Sequence, residues 1–136
     1  MSIIQTEPID VAKVRSHVDS AGHGAVLVFE GVVRNHFDQR PVTGLEYEAY
    51  PELVDPVMNE ILQSADAQWP GVAISVAHRV GSLAVGETSL VIAVGSAHRP
   101  PAYEASRFVL ESIKDRLPVW KKEIYADGSA WKPNVR

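Results

Sequence analysis

The chain has 136 residues, 46% of them hydrophobic, and a formal net charge of −4 at pH 7. This acidic balance excludes a general electrostatic grip on nucleic acid, and the lack of a run of about 18 apolar residues argues against a membrane span. Because the chain has no cysteine, disulfides, thiolate metal sites, a cysteine nucleophile and a persulfide are excluded. The start of the chain lacks the features of a secretory signal, so we expect a cytoplasmic protein with a single domain over residues 1–136.

The first half of the chain alternates helical and extended patterns. These patterns predict a helix at 8–19, a buried strand at 25–33, a polar loop at 34–44 and a strand at 45–50. A longer helix is expected to begin at Pro51 and to end before Pro70. Its apolar stripe is predicted to contain Leu53, Val57, Ile61 and Ala65, widened by Met58, Leu62 and Trp69.

The second half predicts two more strands, at 72–80 and 88–96, joined by a turn-rich segment. A third helix is expected at 99–117, and the tail after Pro118 has room for one short strand and a turn. Because some strands are adjacent and others are separated by helices, the pattern favours an α+β fold with mixed or antiparallel strands and about three helices.

No metal site is predicted. The five histidines, at 17, 23, 36, 78 and 98, lack metal-ligand spacing, and scattered structural histidines are the better interpretation. The motifs of phosphate-binding loops, dinucleotide-binding folds and zinc proteases are also missing.

Basic residues are concentrated in the last third of the chain. His98 and Arg99 lie where a strand leads into a helix, which is a natural anion site, although an ordinary loop with a solvated arginine fits equally well. Lys114 lies on the third helix, away from the apolar side, where a solvated face is the simpler interpretation. Lys121 and Lys122 would point in opposite directions in a strand, so only one of them can face a given pocket.

Several segments together resemble one protein family, the large catalytic subunits of molybdopterin synthase. The resemblance runs from about residue 24 to 131 and rests on FEGVVRNH (29–36), VTGLEYEAYPEL (42–53), HRVGSLAVGE (78–87), SAHRPPAYEA (96–105) and IKDRLPVWKKEIYADGSAW (113–131). It implies an α/β-hammerhead fold and a sulfurtransferase without a metal or other cofactor. That enzyme converts cyclic pyranopterin monophosphate to molybdopterin, in molybdenum cofactor biosynthesis, by forming a dithiolene.

The resemblance also implies partners and site residues. A small ubiquitin-like subunit would bring the sulfur as a C-terminal thiocarboxylate, and two large subunits would form a homodimer at the centre of a heterotetramer, with no nucleic acid or membrane partner. Arg34, His98 and Arg99 match substrate-binding positions, and Lys114 and Lys121 match the two catalytic lysines. Arg136 is a candidate for a terminal basic contact. A non-catalytic module that binds the carrier tail or a phosphate remains the alternative, and a phosphate-transferring hydrolase is disfavoured because no nucleophile is evident.

Overall fold

The computed structural model describes the backbone of residues 1–132 and the side chains of residues 1–128; Arg136 lies outside the described residues. The strands are β1 (Ser2–Gln5), β2 (Ala25–Val32), β3 (His36–Phe37), β4 (Arg40–Ala49), β5 (Ala73–Arg79), β6 (Gly81–Ala84), β7 (Thr88–Ser96), β8 (Val119–Tyr125) and β9 (Gly128–Lys132). The helices are α1 (Val11–Ser16), α2 (Pro51–Gln68) and α3 (Arg99–Arg116). Within the described residues this confirms the expected α+β class with three helices.

The first sheet has the strand order β1-β5-β7-β2. Its β1–β5 pair is parallel and the other pairs are antiparallel. Helices α2 and α3 cover one face, where Met58, Ile61 and Val109 are fully buried, and α1 covers the other face through Val14 and Val18. Because β5 and β7 are covered on both faces, their sequences are apolar almost throughout rather than alternating.

The second sheet has the order β3-β4-β8-β9, and β6 also pairs with β4. Its small core contains Val33, Leu45 and Leu83. Strand β8 follows directly after α3 and pairs with β4 in antiparallel register, with Lys121 opposite Tyr47 and Lys122 opposite Glu46. The end of α3 and the start of this sheet therefore meet beside the first sheet.

Some predicted elements were wrong in extent. The segment 34–44 is not a loop, because β3 and the first part of β4 form a hairpin through Asp38 and Gln39, which have φ values of 49° and 64°. Such positive φ values suit the tight turn of a two-residue hairpin. The first helix spans only Val11–Ser16, since the Asp10 side chain caps it by accepting a hydrogen bond from the Lys13 amide. Strands β1 and β6 were not predicted, and the tail after Pro118 contains two strands, β8 and β9, where one was expected. No helix within residues 1–132 is long and apolar enough to cross a membrane.

Candidate active site

Two connected chambers open where α3 and β8 approach the first sheet. The inner chamber, of about 110 Å³, is lined by Phe29, Gly31, Tyr47, His78, Ser89, Leu90, Ile113, Lys114, Leu117, Val119 and Lys121. The outer chamber, of about 220 Å³, is lined by Gly31, Val32, Val33, Arg34, His36, Phe37, Leu45, Tyr47, Ser89, Lys114, Lys121 and Glu123. Since both chambers share Gly31, Tyr47, Ser89, Lys114 and Lys121, we treat them as one site with two compartments.

The position of Lys121 follows from strand alternation in β8. Val119, Glu123 and Tyr125 are buried on the inner side of the sheet, and Lys121 lies on that side with them. Lys122 is absent from both chambers and its Nζ lies 3.8 Å from Glu46 Oε2. The prediction that only one of the two adjacent lysines faces the pocket is confirmed, and that residue is Lys121.

Lys121 is held by a carboxylate in the wall of the outer chamber. Its Nζ lies 3.3 Å from Glu123 Oε1, and the Glu123 side chain is only 4% exposed. The ammonium also lies 5.7 Å from the centre of the Phe37 ring, within the range of a cation–π contact. These two contacts orient the lysine toward the cavity.

Lys114 and Arg34 reach the same site from other elements. Lys114 occupies the last turn of α3, next to the buried Ile113, and Arg34 lies two residues beyond the end of β2. Neither side chain forms a salt bridge with a residue in the part of the chain that the structure describes. The site therefore presents three cationic side chains against one carboxylate, which suits anionic ligands.

His98 and Arg99 lie at the other end of α3. His98 caps the helix without a side-chain hydrogen bond to it, and Arg99 is the first helical residue. Lys114 comes fifteen positions later, which corresponds to roughly 22 Å along the helix axis. Within one chain the structure therefore brings Arg34, Lys114 and Lys121 together and does not bring His98 and Arg99 to them.

The sequence analysis missed two polar residues in the inner chamber, His78 and Tyr47. Burial lowers the pKa of His78, a hydrogen bond to the Arg79 carbonyl partly offsets this, and the nearby positive charge of Lys114 lowers it further. Burial also raises the pKa of Tyr47; the hydroxyl of Ser89 opposes this and the carboxylate of Glu123 adds to it. At neutral pH both groups are therefore uncharged. A histidine in an otherwise apolar strand was the available signal, but the sequence does not tell which wall it faces.

Comparison with known protein families shows which family this chain belongs to. The model of the family described as MoaE protein matches residues 4–116. The chain belongs to the MoaE protein family. This match contains Arg34, His98, Arg99 and Lys114, whereas Lys121 lies beyond its end.

Two molybdopterin synthase catalytic subunits are similar to this chain over most of its length. The molybdopterin synthase catalytic subunit of Staphylococcus aureus (strain COL) is 40% identical over 129 residues, covering 95% of this chain and 87% of that protein. The corresponding subunit of Arabidopsis thaliana is 39% identical over 126 residues, or 93% of this chain, but this chain spans only 64% of the length of the plant protein. The crystal structure of molybdopterin synthase from S. aureus superposes with a TM-score of 0.90 at 39% identity, covering 95% of this chain and 94% of that one. The expected fold type is thereby confirmed.

Proposed function

We propose that this chain is the catalytic subunit of a molybdopterin synthase. It would transfer sulfur from the thiocarboxylated C-terminus of a small ubiquitin-like carrier to cyclic pyranopterin monophosphate, and so form the dithiolene of molybdopterin. The observation that carries the proposal is the convergence of Arg34, Lys114 and Lys121 on one two-chambered cavity. Membership of the MoaE family supports it.

The chemistry requires positive charge in this arrangement. The carrier tail and the pterin phosphate are both anionic, and they must be held close together against their repulsion. In each transfer a sulfur atom of the carrier replaces an oxygen atom on the pterin, and the thiocarboxylate becomes a carboxylate. The tetrahedral intermediate at the thiocarboxylate carbon carries negative charge, which the ammonium groups of Lys114 and Lys121 would stabilise. Arg34, at the wider outer chamber, is suited to the pterin phosphate.

Because the chain contains no cysteine, it cannot hold the sulfur as its own persulfide, and the carrier must supply it. This property separates the proposed enzyme from sulfurtransferases that use a cysteine. It also gives the reaction a strict dependence on a second protein.

A homodimer would explain the remote position of His98 and Arg99. Strand β2 is the last strand of its sheet, and Val28 and Val32 are 37% and 49% exposed along it. The two ends of β2 are roughly 24 Å apart within one chain. If two copies of β2 paired in antiparallel register, the N-terminal end of each strand would lie beside the C-terminal end of its partner.

The ends of β2 carry the two halves of the predicted substrate site. Arg34 follows the C-terminal end of β2, whereas the N-terminal residue Ala25 pairs with Ser96, just before His98 and Arg99. In the paired dimer, His98 and Arg99 of one copy would therefore approach Arg34 of the other. We propose this dimer as the form in which all five predicted site residues act together.

The test of the function is reconstitution from purified components. The chain is mixed with cyclic pyranopterin monophosphate and either a thiocarboxylated carrier or the same carrier with an ordinary carboxylate. Product is expected only with the thiocarboxylated carrier. Tight binding of both carriers without any dithiolene product would instead favour a non-catalytic binding module.

The single domain over residues 1–136 and the cytoplasmic location stay predictions.

A further inference from the structure

His78 has one nitrogen whose role is fixed by the fold. Its Nδ1 lies 2.7 Å from the backbone oxygen of Arg79, and because a carbonyl oxygen has no hydrogen to give, Nδ1 must carry the proton and donate. In a neutral imidazole the other nitrogen, Nε2, is then a hydrogen-bond acceptor. The ring is also held by an edge-to-face contact with Tyr47, with centroids 5.2 Å apart at 86°. Both contacts fix the direction of Nε2.

This nitrogen opens into the inner chamber. His78 is only 6% exposed and lines that chamber. Within the described residues, the buried side-chain polar atoms that lack a partner are Arg79 Nε and Tyr125 Oη. Nε2 of His78 is not one of these buried atoms. Among the described residues it has no hydrogen-bond partner, and His78 lines the chamber, from which we infer that this nitrogen faces it.

His78 is also the neutral acceptor in a site dominated by donors. Lys114 and Lys121, both cationic donors, line the same chamber. Burial, reinforced by the charge of Lys114, lowers the pKa of His78 and keeps the imidazole uncharged at neutral pH. A ligand that fills this chamber therefore meets cations for its anionic end and a fixed, uncharged acceptor for an N–H group nearby.

The size of the inner chamber favours a peptide tail over a pterin. Its volume of about 110 Å³ is half the volume of about 220 Å³ of the outer chamber, so the bulkier pterin is better accommodated in the outer one. A narrow chamber suits an extended chain that ends in glycine, because glycine has no side chain to place. Such a tail carries a peptide N–H immediately before its terminal anion, which is the order of groups that the walls offer to bind.

We propose that Nε2 of His78 accepts a hydrogen bond from the last peptide N–H of the carrier tail. The inference rests on the proposed function and adds to it a substrate-contacting residue. The bond fixes the rotation of the terminal glycine and places its thiocarboxylate carbon between Lys114 and Lys121.

The experiment is a binding cycle with a semisynthetic carrier. In one form the last peptide bond is intact, and in the other it is an ester, which removes the N–H and leaves the shape nearly unchanged. Binding of both forms, each with a C-terminal carboxylate, is measured by calorimetry to the wild type, to His78→Phe and to the control His23→Phe. His23 also donates from Nδ1 to a backbone oxygen, that of Val18 at 2.8 Å, but does not line either chamber.

We expect the ester to bind the wild type and His23→Phe about tenfold more weakly than the amide. His78→Phe should bind both forms with equal affinity. Equal binding of ester and amide by the wild type would overturn the proposal. This comparison uses only the wild-type chain, so it does not depend on the folding of a variant. A tenfold ester effect that persists in His78→Phe would overturn it too. So would a higher KM of His78→Phe for the pterin in the turnover assay, with unchanged affinity for the carrier, because that result would assign the acceptor to the pterin ring. Failure of the amide carrier to bind the wild type would instead refute the proposed function itself.

Discussion

Replacing Lys121 by alanine should damage stability and turnover for two separable reasons. The substitution removes the ammonium 3.3 Å from Glu123 Oε1 and leaves a carboxylate that is only 4% exposed. Breaking a buried ion pair costs about 3–5 kcal/mol, and we take the lower end, about 3 kcal/mol, because the Lys121 side chain is 25% exposed. For a chain of 136 residues, that corresponds to a fall in Tm of about 10 °C.

The loss of turnover has a different origin, the missing stabilisation of the tetrahedral intermediate. Removing one such group typically lowers kcat by about 100-fold or more. The double variant Lys121→Ala/Glu123→Gln separates the two effects, since it no longer buries an unpaired charge. Calorimetry and single-turnover kinetics with preformed thiocarboxylated carrier should show a recovered Tm and a turnover that stays low. A double variant that recovers full turnover would show that Lys121 only supports Glu123, and the catalytic assignment would be wrong.

Four further outcomes are expected. Lys114→Arg should lose most of the turnover yet still bind the carrier. Sulfur transfer also requires protons to be moved on the pterin, and a guanidinium keeps the charge but does not exchange a proton at ordinary pH. Lys122→Ala, on the opposite face of the sheet, should be near normal in the same kinetic assay. Arg34→Ala and His98→Ala chains should each be impaired alone but recover about a quarter of wild-type activity when refolded as a mixture, since half the dimers are mixed and each mixed dimer holds one intact site of two. No recovery would contradict the paired dimer as the form in which the two residues act together. The pKa of His78 is lower in the folded state than in the unfolded state. The neutral imidazole therefore contributes fully to stability above about pH 6.5, and this contribution falls as the pH drops below that value. Urea midpoints at pH 7.5 and 5.0 should differ more for the wild type than for His78→Phe.

Elements with a strong local pattern were predicted well from the sequence. Helix α2 begins at Pro51 as expected, because proline fits the first helical turn. The phase of its stripe was partly wrong, since Val54 is fully buried and Leu53 is 49% exposed. Both positions are apolar, and the choice between them depends on where α3 and the first sheet lie, which periodicity alone does not contain.

The hairpin at 36–49 shows why local polarity misleads. Residues 34–41 are mostly polar and resemble a loop, yet main-chain pairing between β3 and β4 extends the second sheet. The turn there depends on two non-glycine residues at positive φ, Asp38 and Gln39, for which the sequence gives only a weak signal.

The site was predicted in parts, for reasons that the fold makes clear. Strand alternation predicted that only one of Lys121 and Lys122 can face a given pocket, because alternation is a local property, and the family resemblance chose Lys121. That Arg34 and Lys114 line the same chamber is a matter of tertiary structure, and only the family resemblance pointed to it. His78 was set aside as a structural histidine, since nothing local distinguishes a buried histidine that opens into a cavity from one that does not.

The most direct test of the central claim follows labelled sulfur through a single turnover. A carrier with a ³⁵S-thiocarboxylate is mixed with the chain and cyclic pyranopterin monophosphate, and both products are separated at short times. The account predicts that the label moves to the pterin while the carrier becomes a carboxylate, and that Lys114→Ala stops this movement without releasing the carrier. Label that remains on the carrier with the wild type, or dithiolene formed at the same rate from free sulfide without any carrier, would contradict it.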